Sequence, residues 1–191
     1  AIPISLVVED ELSEVVLRKL ILYINKELDV VACHVRAKGY IQKSIGGFNK
    51  AAKFSPWVVL TDLDNMVCAP ALIEQWFKVP KNRNLIFRIA EKEIEAWVMA
   101  DRDRFSEFLG IKVQAIPTVV DRIDDPKRLL ISLAQKSRKR TIRDSIIPMQ
   151  GGFSKVGPDH NGQLGFFVRE FWRPSIAQKC SQSLERAISE L

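Results

Sequence analysis

The run Ile4–Val8 is apolar, rich in β-branched residues and too short for a helix, so it predicts a buried strand. From Leu12 to Leu28 the apolar positions Leu12, Val15, Val16, Leu20, Ile24 and Leu28 recur at helical spacing, with Asp10 or Ser13 placed to cap the helix. Val30–Val35 predicts a second strand, ended by Gly39, and residues 41–53 a helix weakened by Gly46 and Gly47. Trp57–Thr61 follows Pro56 as a third strand, residues 71–77 form a short helix, and Leu85–Ile89 is a fourth strand. Residues 93–99 and 105–109 are helical, with Asp101 or Asp103 as a cap and Gly110 as a stop. Strand and helix alternating in this way predict an α/β fold, a mostly parallel sheet flanked by helices, over residues 1–115.

The pattern changes after Pro117. Helical spacing returns at 126–135, 164–172 and 183–191, separated by a basic cluster and a glycine-rich loop, Met149–Gly157. Residues 116–191 are therefore expected to be a basic, helical or irregular extension packed on the sheet domain. No internal repeat or low-complexity tract interrupts either part.

The chain has 191 residues, 47% of them apolar and 27% charged, the balance of a folded globular chain rather than a disordered one. The longest apolar runs fall far short of the roughly 20 residues of a membrane helix, so no membrane association is expected. The start, Ala1-Ile2-Pro3, has no basic segment leading into a long apolar stretch, and no secretory leader is expected. Three cysteines (Cys33, Cys68, Cys180) without a C-x-x-C spacing read as reduced thiols of a cytoplasmic protein, which excludes zinc ribbons and disulfide scaffolds.

Net charge is +6, unevenly spread: residues 1–125 carry 17 Lys and Arg against 18 Asp and Glu, and residues 126–191 carry 12 against 5. The densest stretch holds Lys136, Arg138, Lys139, Arg140 and Arg143. A field of that kind attracts phosphate, which makes these residues candidates for nucleic-acid binding; the other reading is an ordinary solvated helix end.

Candidate chemistry lies at the carboxyl ends of the strands, where parallel α/β sheets hold their ligands. Glu9 follows the first strand directly, and Asp62 and Asp64 follow the third. If those strands are neighbours, three carboxylates converge, and a hard divalent cation, Mg²⁺ or Mn²⁺, is the usual remedy for their repulsion. The fourth strand delivers further acids. Glu91 and Glu95 are expected on one helix face with Glu93 pointing elsewhere, and Glu93 or Glu95 is the expected extra ligand or base. Trp97 reads as a core anchor and Asp101 as a cap. His34 reads as a packed or edge strand residue. His160, in Gly157-Pro158-Asp159-His160-Asn161-Gly162, reads as a surface turn residue, with proton shuttling as the alternative. The absence of G-x-x-x-x-G-K-[ST] and of G-x-G-x-x-G after the first strand argues against P-loop and dinucleotide sites.

These pieces resemble a known group. Val8-Glu9-Asp10-Glu11, Asp62-Leu63-Asp64, Glu93-Ile94-Glu95-Ala96-Trp97, Asp125-Pro126-Lys127, Ser137-Arg138-Lys139-Arg140, Gly157-Pro158-Asp159-His160-Asn161 and Ser183-Leu184-Glu185-Arg186-Ala187 are similar to a family of small bacterial Toprim-like proteins. That family is related to overcoming-lysogenization-defect nucleases and is often encoded beside an AAA or ABC-type ATPase. The resemblance implies a Toprim-like fold and carries an acid or base role to Glu9 and Mg²⁺ ligation to Asp62 and Asp64. The glycine that usually follows the first Glu is Asp10 here. No tyrosine stands where a topoisomerase nucleophile would, since Tyr23 and Tyr40 fall in the first helical units.

What remains is Mg²⁺-dependent phosphodiester hydrolysis, a nuclease in a phage-defence or DNA-processing setting, with Lys155, Lys136 or Arg138 stabilising the transition state. A non-catalytic or partner-activated subunit of an ATPase complex is the second expectation. A haloacid-dehalogenase-like phosphatase is the third, because the third strand and Asp62-Leu63-Asp64 resemble that family's first motif, although Met66 stands where Thr or Val is usual.

Overall fold

The computed structural model describes all 191 residues. A four-stranded, wholly parallel sheet in the order β2-β1-β3-β4 is built from β1 (Ile2–Val8), β2 (Leu28–Val35), β3 (Trp57–Asp62) and β4 (Leu85–Ala90). Alternation along each strand feeds two cores. Ile4, Leu6 and Val8 of β1, with Val58 and Leu60 of β3, face one; Val7, Val59, Leu85 and Phe87 face the other.

The smaller core is closed by α2 (Lys38–Ala51) and α3 (Ala69–Trp76) through Ile41, Ile45, Leu72 and Trp76. The larger is closed by α1 (Glu11–Ile24), α4 (Ile94–Met99), α5 (Arg102–Leu109) and the whole C-terminal third: α6 (Pro126–Gln135), α7 (Arg140–Ile146), α8 (His160–Glu170), α9 (Pro174–Ala177) and α10 (Gln182–Glu190). Residues 116–191 thus pack on one face of the sheet and share its core, through Leu130, Phe167, Trp172 and Leu184.

Several boundaries differ from the sequence expectation for identifiable reasons. The first helix stops at Ile24 rather than Leu28, because Leu28 already pairs with Ile2 in the sheet. The second begins at Lys38, so Gly39 lies in its first turn and breaks nothing. The basic cluster contains a helix of its own, α7, whose Ile142 and Ile146 are buried. Asp10 is the residue that caps α1, its Oδ1 accepting Ser13 N–H at 2.7 Å from an extended backbone that needs no glycine. Gly110 ends α5 with φ 70°, a left-handed conformation that glycine adopts without penalty.

Trp97 is the anchor that its position suggested. It is fully buried, donates from Nε1 to Ser183 Oγ at 2.8 Å, and accepts Trp172 Nε1–H on its carbonyl at 3.0 Å. One residue therefore ties α4 to α10 through its side chain and to the segment after α8 through its carbonyl. Asp101 is also fully buried and holds Arg173 through Nε (2.9 Å), Nη2 (2.8 Å) and the backbone N–H (2.9 Å). His34, in β2, stacks on Trp57 with ring centroids 5.6 Å apart. All three cysteines are free thiols, and no helix is long and apolar enough to cross a membrane.

Trp97→Ala removes a fully buried ring and the donor to Ser183 Oγ, while the carbonyl that accepts Trp172 remains. It should destabilise the fold by about 3–5 kcal/mol in urea unfolding. Trp97→Phe, which loses the hydrogen bond but keeps most of the volume, should cost clearly less.

Candidate active site

In the strand order 2-1-3-4 the chain leaves β1 toward one side and returns to β3 on the other, so the carboxyl edge between β1 and β3 is a topological switch point. Glu9 and Asp62 stand there. Glu9 Oε1 accepts the Asp62 backbone N–H at 3.0 Å and a short hydrogen bond from Thr61 Oγ1. Burial pushes the Glu9 carboxyl pKa up, against those two hydrogen bonds and Lys38, which favour ionisation. Asp62 is 8% exposed. Burial raises its pKa well above the usual carboxylate range, and Glu95, Glu9, Asp10 and Asp64 raise it further.

Asp64 does not face the same way. The strand ends at Asp62, and Asp64 takes φ 51°, as Lys92 after β4 takes φ 65°. The two post-strand loops are joined by Leu63 N–H to Ala90 O (2.9 Å) and Asp64 N–H to Lys92 O (2.8 Å). A left-handed lysine is uncommon, and paired left-handed residues beside a site are where backbone strain is usually kept. Asp64 Oδ2 accepts Lys38 Nζ at 2.6 Å, and the same ammonium bonds the Asp62 carbonyl.

The helix after β4 begins only at Ile94, so Glu91 lies outside it and shares no helix face with Glu95; instead its backbone N–H bonds Ser183 Oγ at 3.3 Å. Glu93 and Glu95 are the pair that meet, and they meet on Lys127. Its Nζ is 3.6 Å from Glu93 Oε1 and 3.6 Å from Glu95 Oε1. Asp125 caps α6 through Arg128 N–H at 2.9 Å, Pro126 opens it, and Glu93 Oε2 accepts Lys127 N–H at 2.9 Å. Burial works against the Lys127 charge, but Glu95, Glu93, Asp62 and Asp10 outweigh it and raise its pKa.

Glu95 is 2% exposed. Its Oε1 lies 3.2 Å from His160 Nε2, while its Oε2 and His160 Nδ1 are buried without a hydrogen-bond partner. His160 is therefore not the surface turn residue expected from its loop. Gly157 explains its place: a Cβ there would lie 2.3 Å from the Ser145 carbonyl oxygen, so only glycine lets the loop close on α7. Gly157 N–H to Ile146 O (2.9 Å) and Asp159 N–H to Ser145 O (3.0 Å) then deliver His160 to the start of α8, facing the sheet.

The expected basic residues divide. Lys139 bonds the Glu107 and Phe108 carbonyls at 3.0 and 2.8 Å, capping the end of α5; Arg143 bonds the Ser137 carbonyl; Arg140 pairs with Asp144 at 3.2 Å. Lys136 and Arg138 are exposed and border a groove beside Gly110. Lys155 is exposed in the loop between α7 and α8 and pairs with none of the site carboxylates.

The donors at this edge are hard carboxylate oxygens, and the unpartnered Glu95 Oε2 beside the crowded Asp62 carboxyl is the kind of vacancy in hydrogen bonding that a divalent cation satisfies. The residue types fit Mg²⁺ or Mn²⁺. No three Asp, Glu, His or Cys side chains stand close enough together to hold such an ion, and Lys38 and Lys127 lie against part of the cluster. No family model, curated protein or solved structure matches the chain.

Asp62 binds its proton more tightly folded than unfolded, so its share of the stability falls as pH rises from about 4, the unfolded value, through the raised folded one. In metal-free buffer Asp62→Asn should therefore melt higher than the wild type at neutral pH and lose less stability between acid and neutral pH. Thermal unfolding across that range checks both; a lower melting temperature for the variant at pH 7 would contradict them.

Proposed function

We propose that this chain is a Mg²⁺-dependent phosphodiester hydrolase of the Toprim type. The observation that supports it best is the buried Asp62, braced by Glu9 and faced by Glu95 with a free oxygen, at the switch point of a parallel sheet. Glu9, Asp62 and Asp64 would hold the cation, with Glu95 Oε2 as the further donor. Bound there, it would neutralise phosphate charge and acidify a water molecule.

The chain's own residues take the remaining roles. Lys127, held protonated by its acidic neighbours, is the cation available to the charge that develops on the phosphate. Glu93 fixes its backbone, so the ammonium is aimed before any substrate arrives. Glu9, its carboxyl pKa raised by burial, is the group suited to accept or return a proton. His160 orients Glu95 from behind. Met66 at the fourth position after Asp62, and the place of β3 as the third strand rather than the first, argue for this reading over a dehalogenase-like phosphatase.

A specific observation also favours the second reading, a subunit that acts only when a partner such as an AAA or ABC-type ATPase engages it. Lys38 lies on Asp64, and Lys127 lies on Glu93 and Glu95, so the acids are partly neutralised from within. An isolated chain in that arrangement binds a cation weakly until the lysines are drawn off.

Plasmid and labelled single-stranded substrates with Mg²⁺ or Mn²⁺ test the proposal. Asp62→Ala should abolish cleavage and Mn²⁺ binding while the circular dichroism spectrum stays native; cleavage that survives it belongs to another site or protein. Lys127→Met should slow cleavage by about 10²–10³-fold, the size of loss seen when a transition-state donor is removed, and should tighten Mn²⁺ binding.

A further inference from the structure

Within the basic cluster of the C-terminal third, Lys139 and Arg143 are spent on carbonyls and Arg140 on Asp144, and another basic surface lies on the opposite side of the sheet. Residues 30–61 contain no Asp or Glu, and from 65 to 90 Glu74 stands alone. Those stretches contain α2, α3 and their loops, together with β4 and most of β2 and β3. Between α2 and the end of α3 runs a groove of about 620 Å³, with Gly39, Lys43, Gly46 and Lys50 on one wall and Phe77, Lys78 and Val79 on the other. Lys43, Lys50 and Lys78 are exposed and none forms an ion pair.

Two further features separate this groove from an ordinary lysine-bearing surface. Gly46 sits mid-helix with a normal φ, and a Cβ built there meets nothing within 4 Å. A glycine inside a helix costs about 1 kcal/mol against alanine, and neither backbone strain nor internal packing requires it here. What it leaves is bare backbone at the groove wall, open to a group from outside. The groove also starts at the candidate active site. Lys38, which bonds Asp62 and Asp64, is the first residue of α2, and Gly39 is the next. Lys43 and Lys50 lie seven residues apart on one stripe, and Lys38 to Lys50 spans about 18 Å at 1.5 Å per residue.

We infer that this groove is the track for a single-stranded nucleic acid leading to the Asp62 edge. The inference deepens the nuclease reading and rests on it. Charge complementarity names a polyanion. Phe77 and Val79, which flank Lys78 on the wall opposite Lys43 and Lys50, narrow this to a chain that presents base faces as well as phosphates, which a duplex does not. Gly46 lets the backbone of that chain approach α2 closely.

The test is fluorescence anisotropy of a labelled oligo-dT in EDTA, where no cleavage occurs. Replacing Lys43, Lys50 and Lys78 together by Gln should weaken binding by about tenfold or more and lower the salt slope by about 2, since each lost single-strand phosphate contact removes roughly 0.7. Gly46→Leu should also weaken binding, with a melting temperature equal to or above the wild type, so that misfolding is not the cause. Lys112→Gln with Arg122→Gln, at exposed positions outside the groove, should bind as the wild type does. Equal binding by the wild type and the triple variant, no binding at low salt, or binding of a duplex or a poly-Glu peptide as tight as that of oligo-dT would each overturn the inference. Because binding is read without metal, failure of the cleavage test leaves this result standing, and failure here leaves the cleavage test intact.

Discussion

Crowding negative charge at the carboxyl edge of β1 and β3 is the constraint around which the molecule is arranged. Asp62 is buried within the electrostatic reach of Glu9, Asp10, Asp64 and Glu95. Such a cluster holds together in a folded chain only if protons, cations or hydrogen bonds offset the repulsion. All three are present. Asp62 and Glu93 have raised pKa values, Thr61 and the Asp62 amide bond Glu9, and two lysines are inserted from opposite sides of the sheet.

Those lysines show why the C-terminal third belongs to the site rather than to a separate appendage. Lys38 comes from α2 on one face; Lys127 and His160 come from α6 and α8 on the other. Trp97 and Asp101 hold the second group in register, one through Ser183 and Trp172 and the other through Arg173. The same helices that fill the larger core therefore carry the counter-charges, so packing and chemistry are coupled. A chain truncated after α5 would lose Lys127 and His160 together with much of its hydrophobic core.

Charge is also segregated at the scale of the whole molecule. The acids gather at one edge of the sheet, and the α2–α3 face beside them is almost free of acidic groups. An arrangement of that kind gives neighbouring surfaces opposite fields, repelling anions at the acidic edge and attracting them at the flanking face.

Hydrophobic periodicity determined the α/β class, all four strands and most helices, because burial on one or both faces writes itself into local spacing. It also placed Glu9, Asp62 and Glu95 at strand ends or just beyond them. It did not determine that β1 and β3 are neighbours, since strand pairing depends on contacts between residues more than fifty positions apart. The contact of Asp64 with Lys38 was not legible, because two-residue alternation holds only while the strand continues, and the chain turns left-handed there. Lys127 carried a local signature, Asp125-Pro126 at a helix start, but its partners lie on α4. His160 looked like a turn residue because its loop is rich in Gly and Pro; tertiary packing alone decides that Gly157 closes against Ser145 and turns the imidazole inward. Local pattern thus set which groups stand at the edge, and long-range packing set which of them meet, because electrostatic partners are chosen by distance in space and leave no period in the chain.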